Sequence, residues 1–136
     1  KSRRIGKKDI IKWKIGYCPK GEYAGRVVIP SFDGDDKINY FVARSYINHK
    51  MKYKNPEYPK EEIIFNESKI DWEKDIYLVE GVFDMLFLEN SIPILGKTVS
   101  DKLWSTLYDR CKSNVVICLD VAELKGVEGL KELTLL

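Results

Sequence analysis

Long apolar runs and targeting signals are both missing from this 136-residue chain. No uninterrupted apolar stretch approaches the roughly 20 residues that a helix needs to span a bilayer. The basic start KSRRIGKKD lacks the apolar core and small-residue cleavage site of a signal peptide. We therefore expect a cytoplasmic protein without a membrane partner.

Cysteine and histidine are scarce as well. The three cysteines, Cys18, Cys111 and Cys118, are odd in number and lack C-x-x-C spacing, which argues against a disulfide framework and a zinc knuckle. His49 is the only histidine and has no catalytic partner near it in sequence, so we interpret it as a loop residue. Neither residue type therefore indicates a catalytic or metal site.

Charge is divided unevenly along a chain whose composition is that of a globular protein, 44% hydrophobic and 12% aromatic. Residues 1–60 carry 15 lysines and arginines against six acidic residues, a net charge of +9. The remaining residues, 61–136, carry a net charge of −7. This division suits a polyanion in the first half and cations or metal ions in the second. Two lobes that attract each other would explain the same division.

A short helix and a loop are predicted before residue 26. Residues 5–15 predict a short helix with Ile10, Ile11 and Trp13 facing inward. Residues 16–25, GYCPKGEYAG, predict a loop from their glycine and proline content.

A β-hairpin is predicted next. Arg26–Phe32 and Lys37–Ile47 are rich in β-branched and aromatic residues, and the DGDD segment between them predicts a turn. Pro30 indicates an edge position or a bulge in the first strand.

Strands and helices alternate in the second half. Three apolar strand candidates, IYLVE, IPILG and NVVICLD, are separated by the helical patterns VFDMLFLEN and SDKLWSTLYDRC. Ser100 is the expected N-cap of the second helix, and Leu103, Trp104 and Leu107 are expected to face inward. A weak helix is predicted for the tail, VAELKGVEGLKEL. The pattern predicts an α/β fold, a parallel sheet with crossover helices, preceded by a smaller basic β-rich subdomain.

Acidic residues follow two of these strands. In a parallel sheet, ligands bind at the carboxyl ends of the strands, and Glu80 and Asp120 lie there. Gly81 lets the chain turn and leaves space, and Asp84 falls in the first turn of the next helix, near Glu80. Clustered carboxylates repel one another unless a cation is present, and Mg²⁺ prefers oxygen ligands. Helix-terminal roles for Asp84 and Asp120 remain open alternatives.

The segments YLVEGVFDMLFL and NVVICLD resemble the two acidic motifs of Toprim domains. The first combines a Glu-Gly turn with an aspartate four residues after the glutamate, and the second carries a further acid at a strand end. The resemblance implies a Toprim-like domain over residues 73–136 in which Glu80, Asp84 and Asp120 are catalytic and hold Mg²⁺ or Mn²⁺.

Motifs in the first half of the chain indicate which Toprim-containing family the chain resembles. RVVIPSFDGDDKINYFVARSY, followed by KYKNPE, resembles the catalytic core of bacterial and phage DnaG-type DNA primases, so residues 1–72 would be the basic N-terminal subdomain. This implies synthesis of short RNA primers on a single-stranded DNA template from ribonucleoside triphosphates. It further implies that Arg26, Arg44, Lys52 and Asn55 bind nucleotide or nucleic acid, and that a replicative helicase couples through a segment outside this chain.

The chain departs from the family at one acid. The family pattern asks for an Asp-x-Asp pair beginning at Asp120, but position 122 is Ala and Glu123 is one place late. The site is therefore degenerate, or the chain is a fragment, or residues are absent after Asp120. Two other functions stay open: another Toprim enzyme such as a metal-dependent nuclease, or a non-catalytic nucleic-acid-binding module. Arg26 and Arg44 could also be solvated, or paired with the DGDD acids.

Overall fold

A computed structural model describes residues 5–47 and 51–119 as two three-stranded sheets with short helices around them. The elements in chain order are α1 (Lys7–Trp13), β1 (Gly16–Cys18), β2 (Arg26–Phe32), β3 (Ile38–Ser45), β4 (Ile76–Val79), α2 (Val82–Met85), β5 (Ser91–Pro93), α3 (Asp101–Arg110) and β6 (Val115–Cys118). Two 3₁₀ turns, Lys60–Glu62 and Glu67–Lys69, lie between the sheets in sequence.

The first sheet is antiparallel in the order β1-β2-β3, and it contains the predicted hairpin. The DGDD turn is confirmed, because Asp33 Oδ1 accepts hydrogen bonds from the backbone N–H groups of Asp35 and Lys37 at 2.9 and 3.0 Å. Pro30 fits the sheet because β1 pairs only as far as Val28. Of the two positions predicted for Pro30, the edge is the one observed, and the register of β2 shifts only between Ser31 and Phe32.

The second sheet is parallel in the order β5-β4-β6, as the alternation of strands and helices predicts. Val79 at the end of β4 pairs with Pro93 of β5 and with Cys118 of β6. The carboxyl ends of all three strands therefore meet at one rim. Helix α3 begins as expected, because Ser100 Oγ accepts a hydrogen bond from Leu103 N at 3.1 Å.

Two predictions in the first 25 residues are wrong. The segment predicted to be a loop over residues 16–25 contains β1, which is held by backbone bonding to β2 that composition does not reveal. Helix α1 buries only Trp13, whereas Ile10 and Ile11 are 44% and 68% exposed. Because α1 is so short, only one of its side chains is buried.

Helix α2 is shorter than the predicted VFDMLFLEN. Beyond Met85 the backbone tightens, with Phe87 N bonding to Asp84 O and Leu88 N to Met85 O. The chain then turns at Asn90, which has a positive φ of 54°, into β5. Phe87 lies beyond the end of α2 and is 52% exposed.

One apolar cluster is shared by both sheets. It contains Ile29 and Val42 of the hairpin together with Val79 of β4 and Met85 of α2. A second cluster lies beneath α3, between Leu103, Leu107 and the parallel strands. The rim of the parallel sheet is thus held against the hairpin by side-chain packing.

Within the described residues, no helix is long and apolar enough to cross a membrane. The residues outside the described part include His49, Asp120 and the predicted C-terminal helix. The proposed division of the chain at residues 72 and 73 stays a prediction.

Candidate functional site

Two adjoining clefts open where the carboxyl rim of the parallel sheet faces the hairpin. The first, here called the acidic cleft, has a volume of about 560 Å³ and is lined by Glu80, Gly81, Asp84 and Cys118, among others. The second, here called the lysine cleft, has a volume of about 350 Å³ and includes Lys60, Lys97 and Asn55. Both clefts share a wall, which is formed by Tyr53, Glu80, Gly81, Val82 and Phe83.

The two acids of the first motif line the acidic cleft together. Glu80 directly follows β4, and Gly81 caps α2. Asp84 Oδ2 accepts a hydrogen bond from Gly81 N at 3.3 Å, which turns the carboxylate back toward the end of β4. The same bond is the helix-terminal role that we left open for Asp84. Gly81 itself has φ −130°, a conformation open to any residue, so the turn does not need glycine.

The donor set of the acidic cleft fits a hard divalent cation. Glu80 and Asp84 offer carboxylate oxygens, the ligands that Mg²⁺ prefers, and the cleft leaves room for water. Strand β6 carries the chain toward the same rim through Cys118, but Asp120 lies outside the described residues. Among the residues that the structure describes, no three His, Cys, Asp or Glu side chains gather into a metal cluster.

Arg44 contacts two aromatic residues of the wall that both clefts share. It lies one residue before the end of β3 and forms a β-bridge with Tyr53, and its guanidinium carbon is 5.6 Å from the centre of the Tyr53 ring. The same atom is 5.0 Å from the centre of the Phe83 ring, on the residue before Asp84. A cation is therefore held by two aromatic faces beside the acidic residues.

Arg26 occupies a different environment although it lies on the same hairpin. Its side chain is buried, with 4% of the residue exposed. Nη1 donates to the backbone oxygen of Lys52 at 3.2 Å, and Nη2 donates to that of Met51 at 2.9 Å. Arg26 therefore fixes the loop before Tyr53 and lines neither cleft. Pairing with the DGDD acids is not seen for either arginine in the described residues.

The other two predicted binding residues, Lys52 and Asn55, also lie in different environments. The Lys52 side chain is exposed and outside both cleft linings, while its carbonyl accepts from Arg26 and from Ser45 N. Asn55 lines the lysine cleft and accepts from Ala43 N at 3.3 Å. Burial raises the pKa of the Tyr40 hydroxyl beside it, the charge of Glu61 raises it further, and a hydrogen bond from Asn55 offsets part of the rise.

Three cleft residues, Tyr53, Lys60 and Lys97, were not predicted from the sequence. Lys97 could have been found, since it follows β5 and the carboxyl ends of parallel strands share one rim. Tyr53 lies inside the KYKNPE segment but was not singled out. Lys60 belongs to a 3₁₀ turn and carries no sequence signal of its position.

Comparisons with known proteins agree with this geometry at the level of the fold. No protein-family model matches the chain. An uncharacterized protein of Mycoplasma genitalium is 28% identical over 150 residues, which cover 97% of this chain and 65% of that protein.

Two solved structures are similar over most of the chain. The zinc-binding and RNA polymerase domains of Aquifex aeolicus primase superpose with a TM-score of 0.75 at 25% identity, covering 91% of this chain and 42% of that one. A DnaG primase catalytic domain bound to single-stranded DNA gives a TM-score of 0.74 at 17% identity, covering 89% and 53%. This chain spans less than two thirds of each of these three proteins. Its fold is that of DnaG-type primase catalytic cores.

Proposed function

We propose that this chain is part of a DNA primase catalytic core, which synthesises short RNA primers on single-stranded DNA. The observation that carries the proposal is the acidic cleft. Glu80 and Asp84 line it at the carboxyl rim of a parallel sheet, and Arg44 is held beside them. The similar DnaG catalytic domain is described as bound to single-stranded DNA, which supports the same template here.

The proposed reaction joins a primer 3′-hydroxyl to the α-phosphate of a ribonucleoside triphosphate. The new P–O bond forms as the bond to pyrophosphate breaks, and the hydroxyl proton passes to solvent. Mg²⁺ or Mn²⁺, when bound, would neutralise charge that develops on the phosphoryl group. Glu80, Asp84 and Asp120 are the proposed ligands of that ion.

The two hairpin arginines have different proposed roles. Arg44 is placed to attract phosphate oxygens, and the Tyr53 and Phe83 rings orient its guanidinium group. Arg26 would act through the backbone of the loop that carries Lys52 and Tyr53. Coupling to a replicative helicase through a segment outside this chain belongs to the same proposal.

Glu80→Gln tests the proposal directly. We expect primer synthesis from ribonucleotides on single-stranded DNA, with Mg²⁺ or Mn²⁺, to fall by about two orders of magnitude or more, as for loss of one transition-state electrostatic contact. Glu89→Gln is the matched control, because it removes the same charge from an exposed residue at the opposite end of the strands. Gel analysis of labelled products, on this chain and on any longer native form, measures the effect.

Each alternative predicts a different result. A nuclease would cleave DNA with the metal ion and without nucleoside triphosphates. The substitution of Ala122 for the second family acid favours a non-catalytic binding module, which would bind DNA in a salt-dependent and metal-independent way. Absence of primers from every form, with Glu80→Gln behaving as the parent protein in DNA and metal binding, would reject the proposed function.

A further inference from the structure

Lys60 and Lys97 are distant in sequence but are brought together at the lysine cleft. Lys60 begins the 3₁₀ turn Lys60–Glu62, and Lys97 follows β5 by four residues. The Nζ atom of Lys60 lies 3.3 Å from the position that a Cβ on Gly96 would occupy. The ammonium group therefore packs against the glycine that precedes Lys97, and a side chain at position 96 would require Lys60 to shift by a few tenths of an ångström.

Neither lysine forms a salt bridge within residues 5–47 and 51–119. In the described part of the chain, Lys54, Lys74 and Arg110 have carboxylate partners within 4.0 Å, whereas Lys60 and Lys97 have none. Two like charges on one concave wall repel each other, and an anion that binds between them relieves this cost. Glu61 is close enough to act on Tyr40 but does not line the cleft. Among the described residues that line the cleft, the one carboxylate is that of Glu80 on the shared wall, so the two lysines leave the lining with a net positive charge.

We propose that Lys60 and Lys97 bind the triphosphate group of a ribonucleoside triphosphate. The inference rests on the proposed function and adds to it a binding site outside the residues that the family motifs identify. Lysine is suited to this role as a compact, mobile point charge for phosphate oxygens.

The size and lining of the cleft favour a small polyanion over a nucleic-acid backbone. Its volume of about 350 Å³ lies in the range of small-molecule pockets. Glu80 forms the wall shared with the acidic cleft, so the lysines and the proposed reaction centre are connected by one continuous surface. A chain of phosphates has charge along its length and can extend from that centre to the lysines. Tyr40, Val42 and Leu95 add an apolar side that a nucleoside can contact.

Inorganic triphosphate, titrated calorimetrically into the protein, tests the site without requiring catalysis. We expect Lys60→Gln and Lys97→Gln each to weaken binding about tenfold, the loss of one charge-assisted contact, and the double variant to lose more. The control is Lys69→Gln combined with Lys74→Gln. It removes the same total charge from a separate cleft, of about 880 Å³, at the amino ends of the parallel strands. This control should bind triphosphate as the parent protein does.

The outcomes separate the site from the proposed function. Triphosphate binding that depends on Lys60 and Lys97 supports the site even if no primer is made. In a protein that makes primers, the double variant should raise the KM for ribonucleotides more than it lowers kcat. The inference is overturned if the parent protein does not bind triphosphate, or if the control loses as much affinity. It is equally overturned if the double variant weakens binding of a DNA oligonucleotide without terminal phosphates as strongly as it weakens binding of triphosphate.

Discussion

At the scale of single residues, the two hairpin arginines have different roles that residue type cannot distinguish. Arg26 and Arg44 both occur in a basic half of the chain and both match the resemblance to primases. The partners of Arg26 are the backbone oxygens of Met51 and Lys52, 25 and 26 residues further along. The partners of Arg44 are the Tyr53 and Phe83 rings at the clefts. Because backbone oxygens belong to every residue, no sequence pattern could have identified the role of Arg26.

Arg26→Met should therefore destabilise the protein more than Arg44→Met. The first change removes two hydrogen bonds from the buried guanidinium to a partly buried loop, at a cost of about 1–3 kcal/mol, although the Lys52 carbonyl keeps its bond from Ser45 N. The second removes a cation from two ring faces, which costs about 0.5–1 kcal/mol at a half-exposed position. Urea unfolding of both variants against the parent gives the comparison. Equal losses of stability would contradict a clamping role for Arg26.

At the scale of secondary-structure elements, the sequence was most informative where pattern and packing agree. The three strands of the parallel sheet and α3 follow from apolar runs and from the Ser100 cap. Strand β1 was missed, since three residues in a glycine-rich segment become a strand only through pairing with β2. The length of helix α2 was overestimated, because the apolar pattern of its sequence continues past the point where the backbone turns toward β5.

The candidate site was predictable to a similar extent. Strand ends in a parallel sheet place Glu80 at the rim, and a helix start places Asp84 beside it. The position of Lys60 depends instead on a long loop that crosses back over Gly96. Such tertiary approaches have no local signature, so the second cleft emerges only from the folded chain.

Asp75 ties the starts of two parallel strands together and makes their stability depend on pH. Its Oδ1 atom accepts from the Ser113 hydroxyl, and from the backbone and side-chain amides of Asn114 at 3.0 and 3.2 Å. The Ser113 bond, followed by the backbone bond of Asn114, lowers the pKa of the carboxyl group. Folding therefore favours the ionised form. The stability that results is present above the pKa of the unfolded chain and is lost as pH falls through the lower pKa of the folded chain.

Asp75→Asn should remove that part of the pH dependence. Between pH 7 and pH 3 the parent protein should lose unfolding free energy more steeply than the variant, as measured by urea unfolding at each pH. Asp109→Asn serves as the control, because the Asp109 side chain is exposed on α3 and makes no side-chain hydrogen bond within the described residues, and it should follow the parent curve. Parallel curves for the parent and Asp75→Asn would show that the Ser113 and Asn114 bonds do not contribute to stability.

At the scale of the whole molecule, the clefts exist because one apolar cluster holds the hairpin against the parallel sheet. The cluster includes Trp13, Ile29 and Val42 from the first half and Val79 and Met85 from the second. The basic and acidic halves of the sequence are therefore joined by packing, in addition to any attraction between their charges. A division between residues 72 and 73 would then mark two subdomains that fold together.

Ile29→Ala tests this cooperation between the halves. Ile29 is fully buried in the shared cluster, and its truncation should cost about 2–5 kcal/mol. Trp13 reports on that cluster and Trp104 on the second one, so variants in which Trp72 is replaced and either Trp13 or Trp104 is the single remaining tryptophan follow each cluster separately. If the sheets unfold as one unit, Ile29→Ala moves both urea transitions to the same lower concentration. If Trp104 keeps its midpoint while Trp13 shifts, the two halves fold independently, and the clefts between them would be formed by docking of two stable units.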